Sequence, residues 1–96
     1  MHIVVRRYKI QPNSGQLLLD SIHNGFGPQI RTAQGFVSYN AFVNQDNELC
    51  SVGIFQNEAN AEASNQLARE FIQKENLSSY FQGPPVISSG EVGAHI

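Results

Sequence analysis

The stretch Phe36-Val37-Ser38-Tyr39-Asn40-Ala41-Phe42-Val43-Asn44-Gln45-Asp46-Asn47-Glu48-Leu49-Cys50-Ser51-Val52-Gly53-Ile54-Phe55-Gln56 decides the fold. Its two ends, Phe36 to Val43 and Glu48 to Gln56, are rich in β-branched and aromatic residues, and Asn44 to Asn47 between them is turn chemistry. The pattern predicts an antiparallel hairpin. Alternation places Val37, Tyr39, Ala41 and Val43 on one face of the first strand and Phe36 and Phe42 on the other. In the second strand Cys50, Val52 and Ile54 lie opposite Leu49 and Phe55.

Downstream of the hairpin, Asn57 is a good helix cap and Glu58 and Glu62 favour the positive end of a helix. Ala59, Ala63, Leu67 and Phe71, widened by Ala68 and Ile72, predict its apolar stripe. A short turn over Leu77 to Phe81 and the Gly83-Pro84-Pro85 punctuation precede a last strand, Val86 to Val92. Upstream, His2 to Ile10 reads as a first strand, and Gln11 to Gly15 as a turn. A helix then starts at Ser14 and carries Leu17, Leu18, Ile22 and Phe26 at three- and four-residue steps. Gly25-Phe26-Gly27-Pro28 predicts a kink or break in it, with Pro28 opening a second short helical piece that carries Ile30.

The order β-α-β-β-α-β is that of the ferredoxin-like split βαβ unit, an α+β fold in which two helices cover one face of an antiparallel sheet. The strands are apolar on both sides, so the open face is expected to be buried against a second copy of the chain, a homodimer through the sheet. At 96 residues and 10.6 kDa the chain is one domain, residues 1–96, and a small one for which an oligomer is a natural remedy.

Composition narrows the function. Six Lys and Arg against eight Asp and Glu give a net charge of −2, which disfavours nucleic-acid binding through phosphate neutralisation. Nine Asn and nine Gln outnumber the 14 charged residues, so the surface is polar but weakly charged. Cys50 is the one cysteine and supports neither an internal disulfide nor a thiolate metal site; among Val52 and Ile54 it reads as a small buried hydrophobe. The first residues turn charged at Arg6-Arg7 before a secretory apolar run develops, and no stretch has the ~20 apolar residues of a membrane span. A cytoplasmic protein with no membrane partner is expected.

Arg7-Tyr8-Lys9-Ile10-Gln11-Pro12 closing the first strand, Gly35-Phe36-Val37-Ser38-Tyr39 opening the second, and Gly53-Ile54-Phe55-Gln56-Asn57-Glu58-Ala59 joining the third strand to the long helix carry a family likeness. With these motifs the chain resembles the dimeric α+β barrel proteins, and within them the antibiotic-biosynthesis-monooxygenase-like family, over nearly its whole length. The resemblance implies a dimeric α+β barrel with one small apolar cavity per subunit between sheet and helices. It also implies oxidation of a small aromatic or quinol-like compound by oxygen, with no metal or other cofactor. Two departures from the family pattern matter. Phe55 stands where the strand-ending aromatic is commonly Trp, and Ser64-Asn65 occupy the region where many members carry a histidine. These departures motivate an alternative, a non-catalytic homodimer that binds a small ligand or serves in stress.

Arg6 and Tyr8 share one face of the first strand with Val4 and Ile10. Facing the helices, they supply a cation and a phenol to an apolar cavity; facing outward, they are ordinary amphipathic surface residues. His23 is the one histidine on a predicted helix and is a candidate for proton transfer or for ligating haem iron. Arg6, Tyr8 and His23 are therefore the expected catalytic residues, with Phe55, Asn40 and Asn65 as expected substrate-pocket residues. Tyr39 is expected in the dimer core. His2 and His95, which strand pairing would bring together, lack the further ligands a metal site needs. Gly25 and Gly27 precede Pro28 rather than a phosphate-binding fingerprint, and Ser88-Ser89-Gly90 has no paired histidine.

Overall fold

The computed structural model describes residues 1–96. Its elements are β1 (His2–Lys9), α1 (Gly15–Ser21), a π-helical turn (Ile22–Phe26), α2 (Gly27–Ile30), β2 (Phe36–Val43), β3 (Glu48–Phe55), α3 (Glu58–Lys74), a 3-10 turn (Ser78–Tyr80) and β4 (Val86–Glu91). The four strands form one antiparallel sheet in the order β2-β3-β1-β4, the ferredoxin-like arrangement, with the helices on one face. No helix is long and apolar enough to cross a membrane.

The core lies between sheet and helices and is built from Val4, Tyr8 and Ile10 of β1, Leu49 and Phe55 of β3, Leu18, Phe26 and Ile30 of the first helical layer, and Ala61, Ala68 and Phe71 of α3. Alternation on β1 thus resolves in one direction: Val4, Arg6, Tyr8 and Ile10 all face the helices. On β2 the expected faces shift. A bulge between Phe36 and Ser38 leaves Val37 outside the ladder, so Phe36 joins Tyr39 and Val43 against the core while Val37 and Phe42 stay exposed.

The expected helical break is instead a change of winding. Residues 15–30 keep one helical path, and the Gly25-Phe26-Gly27-Pro28 run is absorbed by the π-helical turn, with Pro28 in the first turn of α2. Gly25 sits where an added Cβ would lie 2.9 Å from the Phe71 ring, and Phe71 in turn packs on Phe26 at a centroid distance of 5.4 Å. The glycine lets this turn close onto α3. Gly35, at φ +75°, makes the corresponding tight approach before β2, where a Cβ would run into Asn60.

On α3 the buried stripe is Ala61, Ser64, Ala68 and Phe71, whereas Ala59 and Ala63 are exposed. The helix is turned from its expected orientation so that a serine, not a second alanine, meets the sheet. Its start is as read: the Asn57 side chain accepts from the Asn60 N–H at 2.9 Å. Asn57→Ala is expected to lose about 1 kcal/mol, which in a domain of this size lowers the melting temperature by about 4–8 °C in a calorimetric scan.

Candidate functional site

Three elements converge on Arg6. It is 2% exposed and points from the middle of β1 toward α3, where its Nη1 donates to the Asn65 Oδ1 at 2.9 Å and to the Ser64 Oγ at 3.3 Å. The Ser64 hydroxyl spends its own proton on the Ala61 carbonyl at 2.6 Å, which leaves its lone pairs for the guanidinium. Neither partner carries charge. The one ion pair in the structure, Arg7 Nε to Glu48 Oε2 at 3.3 Å, lies on the opposite sheet face. Arg6 is thus a buried cation without a carboxylate, a costly arrangement unless an anion arrives to meet it.

Beside it is a chamber of about 40 Å³ walled by Tyr8, Tyr39, Leu49, Phe26, Phe71 and Leu77 among others, mostly hydrophobic side chains. That volume holds roughly three waters or the head of a ligand, not a whole drug-sized molecule, which takes roughly 300 Å³ or more. The chamber continues at Arg6, Tyr8, Ile72 and Phe81 into an outer cleft of about 460 Å³ between α3 and β4, with Gly83-Pro84-Pro85 as its lip. Phe81 is strapped to the end of β1: it pairs with Ile10, Gln82 N–H donates to the Lys9 carbonyl at 2.9 Å, and its ring lies 5.0 Å from Tyr8. Arg69 adds a second cation to the cleft, and no acidic side chain lines either space. The field in the site favours an anion.

Burial pushes the Tyr8 phenol above its ordinary value near 10, against the opposing pull of the adjacent Arg6. At neutral pH Tyr8 is therefore a hydrogen-bond donor and not a base. The same shift predicts a stability loss in alkali. Above about pH 10 the unfolded tyrosine ionises while the folded one keeps its proton, so stability falls as pH rises from that point to the raised folded value. Tyr8→Phe is expected to flatten this alkaline limb in urea unfolding curves measured across that range.

Of the expected site residues, Arg6, Tyr8 and Asn65 come together; His23, Phe55 and Asn40 do not join them. His23 is exposed on the outer side of the π-helical turn, over a surface groove on the far side of α1, because Ile22 and Phe26 take the inward positions of that turn. The chamber accordingly holds no histidine to transfer a proton or to ligate haem iron. Phe55 is 1% exposed but packs edge-on to Phe36 in the core beyond the chamber wall, at a centroid distance of 6.2 Å. Asn40 pairs with Val52 and is exposed, since the β2 bulge gives the inward positions to Tyr39 and Ala41. Tyr39, expected in a dimer core, is instead a chamber wall, edge-on to Phe26 at 5.6 Å.

Two hydroxyls escaped the sequence reading. Ser64 holds Arg6, and Ser51, directly across from Arg6 on β3, lines the chamber. Ser51 is 2% exposed and its Oγ is the one buried side-chain polar atom with no hydrogen-bond partner. Leaving a hydroxyl so placed costs about 1–3 kcal/mol. The available signal was its position between Leu49 and Gly53, a polar residue on the core side of a strand. Cys50 is buried as expected, on the open face, where burial pushes its thiol up. His, Cys, Asp and Glu form no group of three or more with metal-site geometry.

The fold is shared with solved structures. A monooxygenase from Streptomyces coelicolor, ActVA-Orf6 in complex with nanaomycin D, superposes with a TM-score of 0.77 at 22% identity, over 99% of this chain and 89% of that one. The fold is that of the antibiotic biosynthesis monooxygenases. A Nitrosomonas europaea protein of unknown function matches with a TM-score of 0.79 at 18% identity, over 99% and 91% of the two chains. SnoaB, a cofactor-independent oxygenase from Streptomyces nogalater, matches at 0.72 and 9% identity, over 99% and 95%. No protein-family model and no curated protein matches the sequence. On this fold the polar residues Arg6, Tyr8 and Ser51 line the inner chamber, Asn65 stands at its mouth, and Ser64 holds Arg6 from behind.

Proposed function

We propose that this protein binds the anion of a small aromatic or quinol-like compound, with its head in the chamber and its body in the outer cleft, and oxidises it with dioxygen without a cofactor. The observation that carries this reading is Arg6, a buried cation set without a counter-ion in an apolar chamber. Such a site binds an ionised oxygen far better than a neutral one, and removing that anion from water makes it a better electron donor. A quinol plus dioxygen gives a hydroxyquinone plus water, so the substrate supplies all the electrons.

No side chain lining the chamber is a base at neutral pH, so the substrate proton leaves to water through the outer cleft. Arg6 stabilises the resulting charge and Tyr8 donates a hydrogen bond to it. The site therefore suits compounds acidic enough to ionise beside a guanidinium. Oxygen uptake with a panel of benzo- and naphthoquinols tests the reading: uptake above the rate of spontaneous oxidation supports it. The missing base also favours a second reading, a non-catalytic binder of the same anions. Binding without oxygen uptake for any quinol in the panel assigns the protein to that reading.

The open sheet face supports a homodimer. Phe42 there is 50% exposed, and Val37 and Val86 flank a field of Ile3, Val5, Val52 and Ile54 that is large and apolar for a monomer surface. Sedimentation at micromolar concentration distinguishes a sheet-on-sheet dimer from a monomer.

A further inference from the structure

The geometry points to Ser51 as a further donor, beside Arg6 and Tyr8, in a pocket for a single ionised oxygen, so that the chamber selects phenolate- or enolate-type ligands over carboxylates. This rests on the reading of the chamber as an anion site, but not on oxygen chemistry.

The protein itself gives Ser51 nothing to bind. Ser14, Ser64 and Arg6, the other buried polar residues, all have partners, and Ser51 Oγ has none. It faces the chamber from β3, paired in register with Arg6 on β1, so hydroxyl and guanidinium enter the same small space from neighbouring strands. The hydrogen bonds of Arg6 to α3 both run through Nη1, and its other polar neighbour is the uncharged Tyr8 hydroxyl, so the guanidinium keeps N–H groups that no carboxylate or carbonyl meets. A cation and a hydroxyl, both short of an acceptor, are complementary to one anionic oxygen.

The size of the chamber sets the class. About 40 Å³ with hydrophobic walls accepts one oxygen and the edge of a ring. A carboxylate brings a second oxygen, and a chamber filled by one oxygen and a ring edge has room for it only against hydrophobic walls such as Leu49, Phe71 or Leu77. A phenolate or enolate leaves nothing unpaired, and its ring extends past Phe81 into the outer cleft.

Para-nitrophenol is the probe, because its ionisation is visible and requires no turnover. The wild-type protein is expected to bind the phenolate, to lower the pH at which bound nitrophenol turns yellow, and to bind benzoate at least tenfold more weakly. Ser51→Ala is expected to weaken phenolate binding by about tenfold to a hundredfold, to lessen that shift in ionisation, and to leave benzoate unchanged. Its melting temperature is expected to rise, because the substitution deletes an unsatisfied buried hydroxyl, so misfolding does not explain the loss. Ser51→Thr, which keeps the hydroxyl, retains the preference for phenolate. Equal phenolate binding by Ser51→Ala overturns the role of Ser51. Benzoate bound as tightly as phenolate by wild type overturns the single-oxygen pocket. No binding of either anion overturns the anion site itself, whereas phenolate binding without quinol oxidation leaves this inference standing and removes only the oxygenase.

Discussion

Arg6→Met is expected to lose anion binding by a factor of about 30 to several thousand while the folded protein stays as stable as wild type or becomes more so. The two effects have one origin. Arg6 is buried with only uncharged partners, Asn65, Ser64 and Tyr8, so the free protein carries the desolvation of a charge that nothing in the chain neutralises. Methionine fills nearly the same volume without the charge and adapts to the walls of the chamber. Nor does it strand the partners: Ser64 keeps its bond to the Ala61 carbonyl, and Asn65 is half-buried, within reach of water. Replacing buried charges with hydrophobic groups is neutral or stabilising by about 1–4 kcal/mol in comparable cases, while removing one member of a buried charge pair costs a complex about 2–5 kcal/mol. Titration calorimetry with para-nitrophenolate and a thermal melt on the same sample check both. Binding retained within threefold would falsify the assignment of Arg6 as the anion's partner.

Phe55→Ala is expected to show the reverse profile, a loss of about 3–5 kcal/mol of stability that has nothing to do with the ligand. Phe55 is 1% exposed, meets Phe36 edge-on, and its ring lies close enough to Gly53 that a Cβ there would stand 3.1 Å from it. It ends the central strand that carries Ser51 but contributes no atom to the chamber. A single domain has about 5–15 kcal/mol in all, so this one truncation removes a large share of the stability. Urea unfolding with an unchanged slope and an early midpoint is the expected result. Phe55→Leu loses less and should bind para-nitrophenolate like wild type; a binding defect in that variant would return Phe55 to the site.

How much of this was legible follows from which rules act locally. The hairpin, the Asn57 cap and the common face of Val4, Arg6, Tyr8 and Ile10 depend on turn chemistry, capping and alternation, and each is observed. The direction in which that β1 face looks depends on where the helices dock, a tertiary fact absent from a two-residue period. The β2 bulge carries no strong local signature, yet it moves Phe36 inward and Val37 outward, and Asn40 stays outside while Tyr39 lines the chamber. An apolar stripe alone favours Ala59 and Ala63 on α3, whereas the docked helix buries Ala61 and Ser64. Both overlooked site hydroxyls, Ser51 and Ser64, are polar residues on apolar faces. That contradiction between residue type and position was the mark of the site.

The strand order has a consequence for the making of the protein. β1 carries Arg6 and Tyr8 and lies between β3 and β4, with His2 facing Phe55 on one side and Glu91 on the other. During synthesis it acquires its first neighbour once β3 has emerged and its second after a further stretch of chain, roughly 2–7 s later at ordinary rates of elongation. Over that interval one edge of the arginine's strand is bare, and the floor of the future cleft lacks its β4 side. The pairings that close it join the two ends of the chain, so refolding is governed by long loop closures and belongs with slower mixed folds rather than microsecond helical ones. The β4 wall of the outer cleft is thus placed after the chamber between β1, β3 and α3 has its strands.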